Sequence, residues 1–174
     1  MTNNMEIKFS ATLSNECLAR TAVISFVSQL NSSMETISEI KTIVSEAVSN
    51  AIIHGYHLDA SKDVYIKCSI DDKNLNMIIS DFGKGIADLK LALTPHFTSR
   101  PDLERAGMGL TIIQSLSDSF EIKSVLNMGT KLIIKKKVVS KDIEACLDEQ
   151  GLYWAFKKST ARRWKSSRKM LYRK

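Results

Sequence analysis

An α+β sandwich, with helices on one face of a mixed, mostly antiparallel sheet, is the fold that three features of this sequence predict. Short segments with period-2 alternation lie near both ends of the first 140 residues. Two helical-period segments follow one another directly after the first strand. The resulting order, β-α-α-β-β-loop-α-β-β, joins most strands through short hairpin turns, which favours antiparallel pairing. At 174 residues the chain is long enough to bury one proper core.

The first strand is expected over Met5–Thr12, where Ile7, Phe9 and Ala11 alternate with Glu6, Lys8 and Ser10. Ser14 reads as the N-cap of a helix reaching about Leu30, with Leu18, Ala22, Ser25 and Phe26 on its apolar stripe. A second helix is expected from Ser32, which has capping-box spacing to Glu35, and it ends at Gly55. Its apolar members are Ile37, Ile40, Val44, Ala47 and Ala51. Val64–Ile70 and Leu75–Ile79 form a hairpin across the polar turn Asp71-Asp72-Lys73-Asn74. From Asp81 to Gly109 the pattern weakens, apart from a short apolar stretch at Leu89–Leu93, and four of the seven glycines fall here. A loop of this length inside a compact domain points to function. A helix to about Ser117 and strands Phe120–Val125 and Thr130–Val139 complete the domain.

The net charge of +6 is unevenly placed. Residues 151–174 hold nine Lys or Arg and no acid, so the other 150 residues set 16 basic side chains against all 19 acidic ones. The division is therefore a domain over 1–150 and a basic extension over 151–174, expected to be disordered or non-native, with direct nucleic-acid binding by the acidic domain excluded. No apolar run is long enough to span a bilayer, and no signal-peptide pattern opens the chain, so no membrane role is expected. Cys17, Cys68 and Cys146 are odd in number and widely spaced, which fits neither a disulfide framework nor zinc and suggests a reduced cytoplasm.

Four motifs carry the chemistry. Glu46 and Asn50, one turn apart, project from the same helix face. There a carboxylate can deprotonate a nucleophile and an amide oxygen can ligate Mg²⁺. Asp81-Phe82-Gly83-Lys84-Gly85 follows a strand, so the carboxylate can accept a hydrogen bond from an exocyclic amine while the glycines let backbone approach a ring. The triplet Asp-Phe-Gly also occurs in eukaryotic-type protein kinases, but their Gly-rich loop and His-Arg-Asp motif are missing. Arg105-Ala106-Gly107-Met108-Gly109 opens a helix, offering backbone N–H groups to phosphate. A Rossmann reading lacks its third glycine, where Ile112 stands, and no Walker Gly-Lys-Ser/Thr occurs. Gly129-Thr130 enters the last strand, placing a hydroxyl within reach of the Asp81 carboxylate or its water. His54 reads as a partner of the helix C-terminal dipole, and His57 and His96 have no second ligand at metal spacing.

Singly these signals are weak; in this order they resemble the Bergerat (GHKL) ATP-binding fold of gyrase, Hsp90, sensor histidine kinases and MutL, over about residues 5–139. Ile40–Tyr56 and Pro95–Ile113 further resemble the SpoIIAB family, the anti-sigma F factors of spore-forming bacteria. The resemblance implies a homodimeric serine kinase that uses ATP and Mg²⁺ to phosphorylate an anti-anti-sigma protein and that also binds a sigma factor. It implies Glu46 as general base and Asn50 as Mg²⁺ ligand. Asp81 would bind adenine, with Gly83 and Gly85 lining the base. Arg105, Gly107 and Gly109 would hold the phosphates, with Thr130 closing the adenine end. Glu16 and Arg20 would meet the protein partners. Lys84–Ala106 reads as a lid over the nucleotide. A general-stress anti-sigma kinase and a nucleotide-gated binding module without kinase activity remain as alternatives.

Overall fold

A computed structural model describes residues 3–98 and 107–138. In chain order it contains β1 (Asn3–Ser10), α1 (Ser14–Val27), α2 (Met34–Asn50), β2 (Asp63–Asp71), β3 (Asn74–Asp81), α3 (Leu89–Ala92), α4 (Gly109–Leu116), β4 (Ser119–Val125) and β5 (Gly129–Lys137). The predicted order of elements is present, with boundaries moved by at most three residues except at the end of α2, expected at Gly55 and found at Asn50 with a further turn through Gly55. The basic extension, Arg105 and the last eight residues of the predicted lid (99–106) lie outside the described residues.

The five strands form one sheet in the order β1-β2-β3-β5-β4, and all four pairings are antiparallel, so the mixed component of the expected sheet is absent among the described strands. The alternation that marked the strands sets the inner face: Val64, Ile66, Cys68 and Ile70 on β2, Leu75, Met77 and Ile79 on β3, Leu132 and Ile134 on β5, all buried. Helices α1, α2 and α4 pack on that face and share its core. The other face carries polar and charged residues, including the pairs Glu6–Lys67 (2.8 Å) and Lys8–Asp63 (2.9 Å). One ion pair is less exposed: Lys136 of β5 reaches Glu39 of α2 at 2.6 Å, tying sheet to helix. No helix among the described residues is long and apolar enough to cross a membrane.

The topology creates the functional end of the molecule. After β3 the chain leaves the sheet through α3 and α4, enters the edge as β4, and returns as β5 between β4 and β3. Asp81, the last residue of β3, is thereby paired with Thr130, the second residue of β5, although 49 positions separate them in sequence.

Two local expectations are corrected. On α1 the buried stripe is Ala19, Val23 and Val27, whereas Leu18 is 59% exposed and Ser25 points to solvent. Small side chains at four-residue spacing let α1 lie close to α2, and that close approach outweighed the larger Leu18 in choosing the face. The helix is also not capped by Ser14. Leu13 occupies the cap position without a side-chain bond, and the Ser14 hydroxyl pairs with that of Thr12 at 3.0 Å. At α2 the cap is Ser33, not Ser32: its Oγ accepts from the Thr36 N–H at 3.1 Å and donates to Thr36 Oγ1 at 3.0 Å. Thr36 therefore occupies the partner position expected of Glu35.

Candidate functional site

Helix α2 does not stop at Asn50. It widens into a π turn over Ala51–Gly55, closed by the Tyr56 N–H bonded to the Ala51 carbonyl at 2.9 Å. Single π turns frequently mark functional positions because they displace the following backbone from the helix axis. Here the displacement carries Gly55 against the end of β3. A Cβ on Gly55 would stand 2.8 Å from the Asp81 carboxyl, and the Gly55 carbonyl accepts the Lys84 N–H at 2.9 Å. Gly83 packs just as closely, since a Cβ there would stand 2.1 Å from the Gly55 carbonyl oxygen. The π turn that extends the helix bearing Glu46 and Asn50 and the loop that follows Asp81 are thus in backbone contact.

Among the described residues a cleft of about 580 Å³ opens over this junction. Glu46, Asn50, Asp81, Gly85, Gly107, Gly109 and Thr130 all line it. Gly83 does not: it sits behind Asp81, where its N–H donates to Asp81 Oδ1 at 2.9 Å. Glu16 and Arg20 lie elsewhere, on α1, bound to each other at 3.4 Å and to Ser45 of α2, whose Oγ donates to Glu16 and accepts from Arg20.

The two ends of the cleft differ chemically. At one end Asp81 is 6% exposed, and burial raises its carboxyl above the ordinary value, while the N–H groups of Gly83 and Thr130 draw it partly back. A buried acceptor whose remaining lone pairs face a cleft suits a single exocyclic N–H₂ donor. Thr130 serves this end through its backbone. Its hydroxyl pairs with Ser124 Oγ at 2.9 Å, and Ser124 also donates to the Gly129 carbonyl and accepts from the Ile86 N–H. Ser124, invisible in the motif reading, therefore fixes the β4–β5 turn to the segment after Gly85.

At the other end Gly109 opens α4 directly over Glu46 and Asn50. A Cβ there would come within 2.8 Å of Glu46 Oε2 and 3.0 Å of Asn50 Nδ2. No side chain caps this helix, and Gly107 turns into it with φ +63°. An uncapped helix N-terminus beside a carboxylate and an amide oxygen fits a polyphosphate with a hard cation such as Mg²⁺. No group of three or more His, Cys, Asp or Glu side chains gathers at metal-binding distance among the described residues. The oxygen-bearing side chains facing this end are those of Glu46 and Asn50. His54 and Lys84 also line the cleft, both missed as site residues because a helix-end His and a loop Lys carry no distinctive spacing.

The two glycine contacts predict opposite mutant behaviour. Gly83→Ala sets a methyl against backbone that cannot swing aside and should destabilise the fold by about 1–3 kcal/mol. Gly109→Ala meets only side-chain ends, so thermal melting should show a nearly unchanged midpoint while nucleotide affinity falls at least about tenfold.

Comparison with known proteins bears on the fold and the family. Residues 9–136 match the model of the histidine kinase-like ATPase domain, which implies nucleotide binding. The chain is 47% identical over 138 residues to the anti-sigma F factor of Clostridium novyi, covering 79% of this chain and 96% of that one. It is 47% identical over 136 residues to the anti-sigma F factor of Bacillus subtilis, covering 78% and 93%. The crystal structure of the RsbU and RsbW domains of Rv1364c from Mycobacterium tuberculosis shares the fold, with a TM-score of 0.57 at 17% identity, over 78% of this chain and 32% of that chain. This chain belongs to the anti-sigma F factor family, on a histidine kinase-like ATPase domain.

Proposed function

We propose that this chain is a cytoplasmic, homodimeric serine kinase of sporulation that uses Mg-ATP to phosphorylate an anti-anti-sigma protein and that holds a sigma factor away from RNA polymerase. The observation that carries the reading is the placement of Glu46 and Asn50 under Gly109, in the same cleft as the buried Asp81 carboxylate. Asp81 accepts the exocyclic amine of adenine, with Gly85 and Thr130 beside the base. Gly107, Gly109 and the first turn of α4 receive the phosphates, joined by Arg105. The Asn50 amide oxygen holds Mg²⁺, which neutralises charge on the phosphates when bound. Glu46 accepts the proton of the substrate serine hydroxyl, a role that a pure binding module would not require. Glu16 and Arg20, paired with each other on α1 outside the cleft, meet the protein partners in this reading.

Capture of a sporulation sigma factor on the immobilised chain, with Mg-ATP, with ADP and without nucleotide, tests the sequestration half. Retention of the sigma factor with Mg-ATP supports it. No retention in any of the three conditions contradicts it.

A further inference from the structure

Immediately after the π turn stands Tyr56, 7% exposed, with its ring in the core and its hydroxyl between two backbones. The hydroxyl donates to the Asp63 carbonyl at 2.6 Å and accepts the Phe82 N–H at 2.7 Å. Phe82 is the residue after Asp81, and its own ring does not anchor it: that ring is 69% exposed and meets Tyr65 edge-on. The turn after β3 is thus held at alternate N–H groups from a single source. Tyr56 takes the N–H of Phe82, and Gly55 takes the N–H of Lys84. Both holders continue directly from the helix that carries Glu46 and Asn50. A further bond, from the Asn127 N–H to the Lys84 carbonyl at 2.7 Å, passes the restraint on to the β4–β5 turn.

We propose that Tyr56 is a positioning residue for nucleotide selection, its hydroxyl fixing the Asp81 carboxylate at a set distance from the Glu46–Asn50 end of the cleft. This rests on the reading of Asp81 as the base-binding group. The reasoning is geometric: a carboxylate that distinguishes one exocyclic group must be held to within a fraction of an ångström, and Phe82 lies between Asp81 and Gly83, whose own N–H bonds that carboxylate at 2.9 Å. Loss of the hydroxyl leaves that N–H without its acceptor and lets the turn shift, while the ring still fills its place in the core.

The test measures ATP and GTP affinity by titration calorimetry, with Mg²⁺, for the wild type, Tyr56→Phe, Asp81→Asn and the double variant. Tyr56→Phe should weaken ATP about fivefold, the effect of one neutral hydrogen bond, and leave GTP unchanged, so that the ATP:GTP preference falls by the same factor. In the Asp81→Asn background the same change should have no further effect, because it acts through that carboxylate. An unchanged ATP:GTP ratio in Tyr56→Phe, equal weakening of both nucleotides, or independent multiplying effects in the double variant would each overturn the proposal. So would a Tyr56→Phe chain that no longer folds, since the hydroxyl would then be structural. If Asp81→Asn itself leaves the preference intact, the base-binding assignment falls and this role falls with it. If Asp81→Asn abolishes the preference and Tyr56→Phe does not touch it, only the role of Tyr56 is lost.

Discussion

Glu46→Gln should bind Mg-ATP as the wild type does and transfer phosphate to serine about 10²–10⁴-fold more slowly, the usual contribution of a positioned general base. The substitution keeps the shape and the hydrogen-bonding reach of the side chain under Gly109 and removes only its capacity to take a proton. Asn50→Ala should behave differently. It removes the amide oxygen assigned to Mg²⁺, so the loss appears in Mg-ATP binding itself. Single-turnover transfer assays beside titration calorimetry separate the two. A Glu46→Gln chain that phosphorylates at the wild-type rate would remove Glu46 from the role of base.

Asp81→Asn should lower ATP affinity about ten- to a hundredfold, the loss of a charge-assisted hydrogen bond of roughly 1.5–3 kcal/mol. The same substitution should leave a signature in stability. Burial raises the Asp81 carboxyl above its unfolded value of 3.8, so ionising it opposes folding. That opposition is fully present above the folded pKa and disappears below the unfolded one. Asn does not titrate. Wild-type stability measured against Asp81→Asn should therefore rise as the pH falls from neutral toward about 4. Thermal melts of both nucleotide-free proteins across that range read the difference directly. A difference that stays flat, or that moves the other way, would mean that the carboxylate is not burdened by burial.

What the sequence disclosed depended on the range over which each signal acts. Glu46 and Asn50 were legible because four-residue spacing on a helix places two side chains on one face whatever the rest of the fold does. The strands of the inner face were legible because alternation is a local pattern, and Ile66, Cys68, Met77 and Ile79 sit where it put them. Helix α1 was misread for a contrasting reason. Its buried face is chosen by the approach of α2, for which Ala19 and Val23 matter more than the larger Leu18. The cap of α2 was missed by one residue because the capping-box spacing favours Ser32, three places before Glu35, whereas the bond that caps the helix runs from the Thr36 N–H to Ser33.

The working parts behind the site were out of reach altogether. Tyr56 bridges Asp63 and Phe82, Ser124 bridges Ile86 and Thr130, and Gly55 meets Gly83 and Lys84. Several of these contacts join residues more than twenty positions apart, and none has a fixed spacing that a motif could encode. The sequence thus named the groups proposed to touch a nucleotide, while the structure shows which residues hold them in place.

The most direct measurement of the account is transfer of radiolabelled γ-phosphate from ATP, with Mg²⁺, to a purified anti-anti-sigma protein, followed by mapping of the modified residue. The account predicts stoichiometric label on one serine, dependent on Mg²⁺ and lost in Glu46→Gln. Tight ATP binding without any label on the partner would contradict it and leave the chain a nucleotide-gated binding module.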